Sequence, residues 1–383
     1  MIKYMPRLIE KSIQDQLSIM GAVAIEGPKW SGKSTTAERY AKTVVKLQDP
    51  IVNRRYQIYA STDKNLLLAG DKPLMFDEWQ KIPNLWDFIR LDIDEKNERG
   101  MYILTGSAKP IKDQERHTGT GRIVKVKMRP MSLFEMNYSN GSVSIQDLFE
   151  NKKIGIHESK LSIKDLSELI CRGGWPGSMY LSVDKAIMAV ENYYNTLTSE
   201  DIVDIDNIKR DQTRAKTVIK SFSRNISTLT SYQTMVKDIS EHGEQISDES
   251  FYSYIRALEK LYIIDNIPAW NPKLRSKSSI RTTDKRELID PSLAAVALGA
   301  KPNDLIKDME TFGFLFESLC SRDLSIYIES LGGHLFHYKD SDDLEIDFIL
   351  HLPDGKWGAI EVKTGLNEIE KAIQKSDLGV NPS

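Results

Sequence analysis

The stretch Ala22-Val23-Ala24-Ile25-Glu26-Gly27-Pro28-Lys29-Trp30-Ser31-Gly32-Lys33-Ser34-Thr35 decides how the chain is read. Its first five residues form the near-continuous apolar run of a strand buried on both faces, and a helix is expected to begin near Thr35. Between them, Gly27 to Ser34 fits Gly-x-x-x-x-Gly-Lys-Ser/Thr. Gly27 and Gly32 let the backbone bend, so that successive N–H groups converge on phosphate oxygens at a helix N-terminus. Lys33 then neutralises the β and γ phosphates, and the Ser34 hydroxyl is placed to ligate magnesium. ATP and Mg2+ are therefore the expected ligands, with Gly27, Pro28, Lys29, Trp30, Ser31, Gly32, Lys33, Ser34 and Thr35 as the binding segment.

A phosphate loop needs carboxylates beside it, because the metal and the attacking water both require oriented acids. Leu74, Met75 and Phe76 form a second apolar run, and Asp77 and Glu78 emerge at its carboxyl end, where ligands sit in open α/β sheets. Asp77 is expected beside the metal and Glu78 to act as general base; an acidic pair ending a strand in solvent is the plainer alternative. After a third run, residues 101–104, come Thr105, Gly106 and Ser107, which could sense the γ phosphate or merely end a strand. Arg116, His117 and Arg122 lie in a Gly-rich stretch beyond. Arg122 is the better candidate for an arginine reaching phosphate, within a protomer or across an interface, and Arg116 reads as part of a solvated loop.

The whole chain of 383 residues exceeds one ordinary core, and domains of roughly 100–200 residues imply two or three units. A hydrophobic share of 40%, a charged share of 28% and a mean hydropathy of −0.39 match a globular chain rather than a disordered or membrane one. No run approaches the roughly 18 apolar residues of a span, and residues 1–14 lack the apolar centre of a secretory signal, so a cytoplasmic setting without a membrane partner is expected. Cys171 and Cys320 are the only cysteines and suggest buried, inert thiols rather than a disulfide framework or zinc site. A net charge of −3 excludes a globally basic coat but not a local basic face.

Strands are expected over residues 22–26, 57–60, 74–76, 101–105 and 123–128. The last reads as an edge, because Lys125 and Lys127 alternate with Val124, Val126 and Met128. The fold class is thus α/β, a P-loop NTPase parallel sheet over residues 1–150. A helical and winged-helix-like unit is expected over 151–290, and a C-terminal α+β unit over 291–383 with a helix near 312–327 and two strands joined at Pro353-Asp354-Gly355.

Several motifs together resemble bacterial and archaeal AAA+-like ATPases that carry a C-terminal PD-(D/E)XK nuclease-like domain. They are Tyr4-Met-Pro-Arg7, the phosphate loop, Phe76-Asp-Glu-Trp-Gln80, Pro83, Leu85-Trp-Asp87, Leu104-Thr-Gly-Ser107, Gly121-Arg122, Arg129-Pro-Met-Ser-Leu-Phe-Glu135 and Gly173-Gly-Trp-Pro-Gly177. The resemblance implies ATP binding by the loop, an acid pair at Asp77 and Glu78, and a sensor near Thr105 to Ser107. Lys29-Trp30 departs from the family's commoner arginine or small residues but leaves both glycines, Lys33 and Ser34 intact.

In the middle unit, residues 232–270 order as helix, turn, helix and strand, as in a winged helix. Ser247 and Ser250 are candidate caps, and Phe251, Ile255, Leu258 and Leu261 make a buried stripe. The basic run Lys273, Arg275, Lys277, Arg281, Lys285, Arg286 would suit a wing on DNA phosphates, and a second cluster is Lys209, Arg210, Arg214, Lys216, Lys220, Arg224. Solvated charge on a structural module accounts for the same residues, and leaves a protein partner or homo-oligomer as the alternative to DNA.

Near the C-terminus, Glu361 and Lys363 share one face of a strand, and a suitable register sets Asp347 opposite Glu361. With Glu317 on the preceding helix, this resembles the PD-(D/E)XK pattern through Glu345-Ile-Asp-Phe348 and Ile360-Glu-Val-Lys363. The pattern implies metal-assisted phosphodiester hydrolysis, or a binding module that has lost it. The sequence stops at Asn381-Pro-Ser383, short of a further expected strand, so a shortened C-terminal domain is expected.

Overall fold

The alternation of side chains along β1 (Ala22–Glu26) sets the layers of the N-terminal domain. Ala22 and Ala24 point into one apolar layer with Trp79, Leu85, Trp86 and Ile89, while Val23 and Ile25 point into another with Ile13, Ala37 and Met128. Every residue of β1 is consequently buried. The strand belongs to a parallel sheet with β2 (Thr43–Lys46), β3 (Leu74–Asp77), β4 (Tyr102–Gly106) and β5 (Ile123–Lys127), in the order β2-β3-β4-β1-β5. Helix Leu85–Lys96 covers one face, and helices Ile9–Ile19 and Lys33–Glu38 cover the other. The computed structural model describes residues 4–107, 119–155, 158–206, 208–241, 243, 245–271, 283–340 and 344–365.

Four of the five strands lie where the apolar runs place them, and β5 is the expected edge. The strand expected over 57–60 is instead part of the helix Pro50–Thr62. Asp49 caps that helix by accepting from the N–H groups of Ile51 at 2.8 Å and Val52 at 3.2 Å, and Pro50 fixes its first turn. The actual second strand, β2, is the other edge of the sheet and buries only Val45.

Helices Ile163–Arg172, Val183–Thr196, Gln212–Arg224, Tyr232–Glu241, Asp248–Lys260 and Pro291–Leu298 follow. They share an apolar core that runs from Ile170 through Trp175, Phe222 and Phe251 to Leu319. Ser247 caps Asp248–Lys260 by accepting from the Ser250 N–H at 3.2 Å, and Phe251, Ile255, Leu258 and Leu261 are buried as expected. In place of the continuous strand expected after that helix there are isolated antiparallel bridges, Ile264 to Leu288 and Ile267 to Lys285.

Helix Met309–Ser330 then packs on an antiparallel sheet of β6 (His334–Lys339), β7 (Glu345–His351) and β8 (Trp357–Ile360). The expected pair is β7 and β8; β6, with Leu335 and His337 turned inward, is additional. Both cysteines sit in apolar surroundings, and burial raises both thiols, Cys171 to about 12. Among the described residues no helix is long and apolar enough to cross a membrane.

Candidate functional site

The loop after β1 turns sharply because a carbonyl from the next strand crowds it. A Cβ on Gly27 would lie 2.1 Å from the Met128 carbonyl oxygen, so only glycine fits. Gly32, at the N-cap of helix Lys33–Glu38, has φ 93°, a left-handed conformation that side chains disfavour. Ser31 Oγ donates to the Pro28 carbonyl at 3.0 Å, and Lys33 Nζ donates to the same oxygen at 2.6 Å. Thr35 is exposed in the first turn of the helix.

Arg7, which sequence reading treated only as part of a motif, holds this loop from below. Its Nη1 donates to the Ser31 carbonyl at 2.9 Å, and Nη2 donates to the carbonyls of Arg129 at 2.7 Å and Pro130 at 3.2 Å. Its Nε lies 3.1 Å from Glu135. Both ends of that ion pair are almost fully buried, and the Glu135 carboxylate offsets the guanidinium charge although Nε itself makes no hydrogen bond. Arg129 is itself tied to Asp265 and Glu329.

Lys29 and Trp30 do not line the phosphate cradle. Lys29 Nζ donates to Asp201 Oδ1 at 2.5 Å, and Asp201 lies on the π-helical turn Leu197–Asp201. Trp30 stacks on Trp175 with ring centroids 5.6 Å apart and planes 13° apart, and lies 6.0 Å from Tyr193. The tip of the loop is therefore attached to the helical unit. The Gly173-to-Gly177 turn that presents Trp175 is fixed in turn. The Gly174 N–H donates to Asp290 at 2.9 Å, and Trp175 Nε1 donates to Ser292 at 3.0 Å. Neither Asp201 nor Asp290 carried any sequence signal toward the loop.

Asp77 ends β3 beside the loop. Ser34 Oγ and Thr105 Oγ1 each donate to its Oδ1 at 2.6 Å, so the three expected groups meet at one oxygen. The register pairs Asp77 with Thr105 and Ile25 with Thr105, which brings the carboxyl ends of β3, β4 and β1 to one edge. Glu78 adopts the left-handed conformation, φ 56°, and accepts from Gln80 Nε2 and from Ser107 Oγ, the latter at 3.1 Å. Burial pushes the Lys33 ammonium down to about 8, with Glu78 and Asp77 pulling it partly back. An ammonium poised beside two acids and bonded to one neutral carbonyl is well placed to exchange that carbonyl for a phosphate. The oxygen donors of Ser34 and Asp77 are those a magnesium ion prefers.

Arg122 is a correction. It precedes β5, and Ala22 pairs with Ile123, so Arg122 sits at the amino end of the sheet. The phosphate loop leaves the other end, a strand of five residues away, roughly 16 Å at ~3.3 Å per residue. Its Nε is bonded to Asp94 Oδ1 at 2.6 Å instead, so it does not serve the site of its own chain. Arg116 and His117 lie outside the described residues.

The basic wing is corrected in part. Lys285 and Arg286 are buried; Arg286 Nε donates to the Thr230 carbonyl at 2.8 Å and its guanidinium lies over Tyr232. Lys273, Arg275, Lys277 and Arg281 lie outside the described residues. In the second cluster Arg210 is buried against Asp206 at 2.6 Å, whereas Lys209, Arg214, Lys220 and Arg224 are exposed.

The C-terminal carboxylates do come together. Phe348 pairs with Ile360, which sets Asp347 across from Glu361, and Lys363 Nζ reaches Asp347 at 3.2 Å and Glu361 at 2.7 Å. Lys285 reaches the same group from another segment: its Nζ is paired with Glu317 and lies 3.7 Å from Asp347. Desolvation raises Glu317 to about 7.

Residues 20–137 match a family described as an AAA domain. That matched segment holds the phosphate loop, Asp77 and Thr105, and is similar to AAA domains. Residues 163–304 and 312–378 match two families described as domains of unknown function, DUF8612 and DUF4143. No curated protein matches the chain. Among solved structures, the Walker-type ATPase PABY2304 of Pyrococcus abyssi aligns at 13% identity over 77% of this chain and 96% of its own, with a TM-score of 0.44. The structure of Drosophila ORC bound to DNA aligns at 13% identity over 76% and 83%, with a TM-score of 0.18.

Proposed function

We propose that the N-terminal domain binds ATP with Mg2+ and hydrolyses it, and that the cycle drives a change in the attached C-terminal half. The observation that carries this reading is the convergence of Lys33, Ser34, Asp77, Thr105 and Glu78 at the carboxyl ends of β1, β3 and β4. Ser34 and Asp77 would hold the metal, which supplies charge neutralisation on the phosphates. Lys33 leaves the Pro28 carbonyl for the β and γ phosphates, as the stronger anionic acceptors take over its proton donors. Glu78 orients the attacking water and accepts its proton, and Thr105 holds Asp77 in place.

Removing the ammonium tests this. In Lys33→Ala, phosphate release should fall to background while the circular dichroism spectrum stays that of the unaltered protein. Turnover that survives the substitution counts decisively against the assignment.

A second reading is favoured by the attachment of Lys29 and Trp30 to the helical unit: a nucleotide-gated interaction module that signals by occupancy with negligible turnover. Tight ATP binding without steady-state phosphate release selects it. The partner of the C-terminal half is nucleic acid or protein. Exposed Lys209, Arg214, Lys220 and Arg224 support nucleic acid, which requires affinity to fall steeply as salt rises.

A further inference from the structure

The nuclease-like pattern at Glu317, Asp347, Glu361 and Lys363 implies a divalent cation, and the residues around it do not fit one. Lys285 is fixed by its backbone: its N–H donates to the Ile267 carbonyl and its carbonyl accepts from the Ile267 N–H, both at 2.9 Å. Its side chain is 1% exposed, and its ammonium lies 4.8 Å from the Phe348 ring centre. Nζ is paired with Glu317, donates to the Asp347 carbonyl at 3.3 Å, and stands 3.7 Å from Asp347 Oδ1. The other carboxylate oxygen of Asp347 is occupied too, accepting from the Val362 N–H at 2.8 Å and from Lys363 at 3.2 Å.

A cation bridging Glu317 and Asp347 would have to stand where this ammonium stands. The Lys285 side chain is buried, and a divalent ion beside it would meet like charge where water cannot screen it. Among the described residues, no group of three or more His, Cys, Asp or Glu side chains is disposed to hold a metal ion.

We propose that Lys285 is a built-in counter-ion that replaces the divalent cation, so that this carboxylate cluster is a metal-independent joint and not a hydrolytic centre. The joint ties three separate pieces of chain: the segment at Lys285, helix Met309–Ser330 through Glu317, and β7 through Asp347. The proposal is independent of the ATPase reading, since it concerns a different domain.

Manganese binding without nucleotide decides it, measured by electron paramagnetic resonance of free Mn2+ on the full chain. The unaltered protein and Glu317→Gln should give superimposable isotherms, because the cluster takes no metal in either. Lys285→Met should gain one Mn2+ per chain, and Lys285→Met/Glu317→Gln should lose it again. The unaltered protein binding a Mn2+ that Glu317→Gln abolishes overturns the proposal. So does a well-folded Lys285→Met that gains none. If Lys285→Met does not fold, the first pair of isotherms still decides between a cluster with and without metal.

Discussion

Gly27→Ala adds a single methyl group and should cripple the nucleotide site. The new Cβ would stand 2.1 Å from the Met128 carbonyl oxygen, against a floor of roughly 3.0 Å for such contacts. Both partners are backbone, so no side chain can swing aside; the loop or the end of β5 must shift by close to about 1 Å. Overpacking of this kind costs about 1–3 kcal/mol. At roughly 2–4 °C per kcal/mol for a unit of this size, the melting temperature should fall by about 2–12 °C. The N–H groups that face phosphate move with the loop, and a displacement near 1 Å is enough to cost on the order of a hundredfold in function. Calorimetric titration with Mg-ATP, together with thermal melts, reads both effects. Gly313→Ala is the control: it lies in helix Met309–Ser330 with nothing within 4 Å of the added methyl, and should be neutral or slightly stabilising. Wild-type affinity and an unchanged melt in Gly27→Ala would refute the claim that this close approach shapes the loop.

Two further outcomes follow from geometry. Trp30→Ala removes the ring contacts with Trp175 and Tyr193, at about 0.5–1.5 kcal/mol for each pair, so unfolding should be easier by about 1–3 kcal/mol; Trp30→Phe should recover part of this, and equal denaturation midpoints for all three proteins would count against the stack. The His337 imidazole, pushed down to about 4 by burial and then by the charge of Lys285, has a pH signature. In the unfolded chain it takes a proton near pH 6.5 and in the folded chain only near 4, so stability is lost as pH falls through that window, by at most about 3 kcal/mol. His337→Gln should flatten this part of the stability profile between pH 6.5 and 4; an unchanged slope would show that His337 is not its source.

The parts of this protein legible in its sequence are those whose causes are local. The strand at Ala22, the loop glycines and Lys33 lie within fourteen consecutive residues, and each is dictated by its neighbours. That Asp77 and Thr105 meet is legible because parallel strands align their carboxyl ends, a rule of topology that needs no coordinates. Residues 57–60 were misread because Gln57-Ile-Tyr-Ala60 suits a strand, while the cap that makes it helical lies eight residues earlier at Asp49. Arg122 looked near the site in sequence and is a strand's length away in space, and only the register shows which end it occupies. Lys285 and Arg286 looked like part of a charged surface run; burial beside distant acids and a tyrosine is invisible until the chain is folded. Arg7 and Asp201, which brace the loop, contact it across 24 and 172 residues of sequence, and no pattern of spacing reports such pairs.

The bracing of the phosphate loop has a bearing on how the protein is made. The glycine-rich turn is synthesised early, yet Met128, the Arg129 carbonyl and Glu135 leave the ribosome about a hundred residues later, and Trp175 and Asp201 later still. The nascent turn therefore spends much of translation without its final supports, which are complete only once the helical unit has been synthesised.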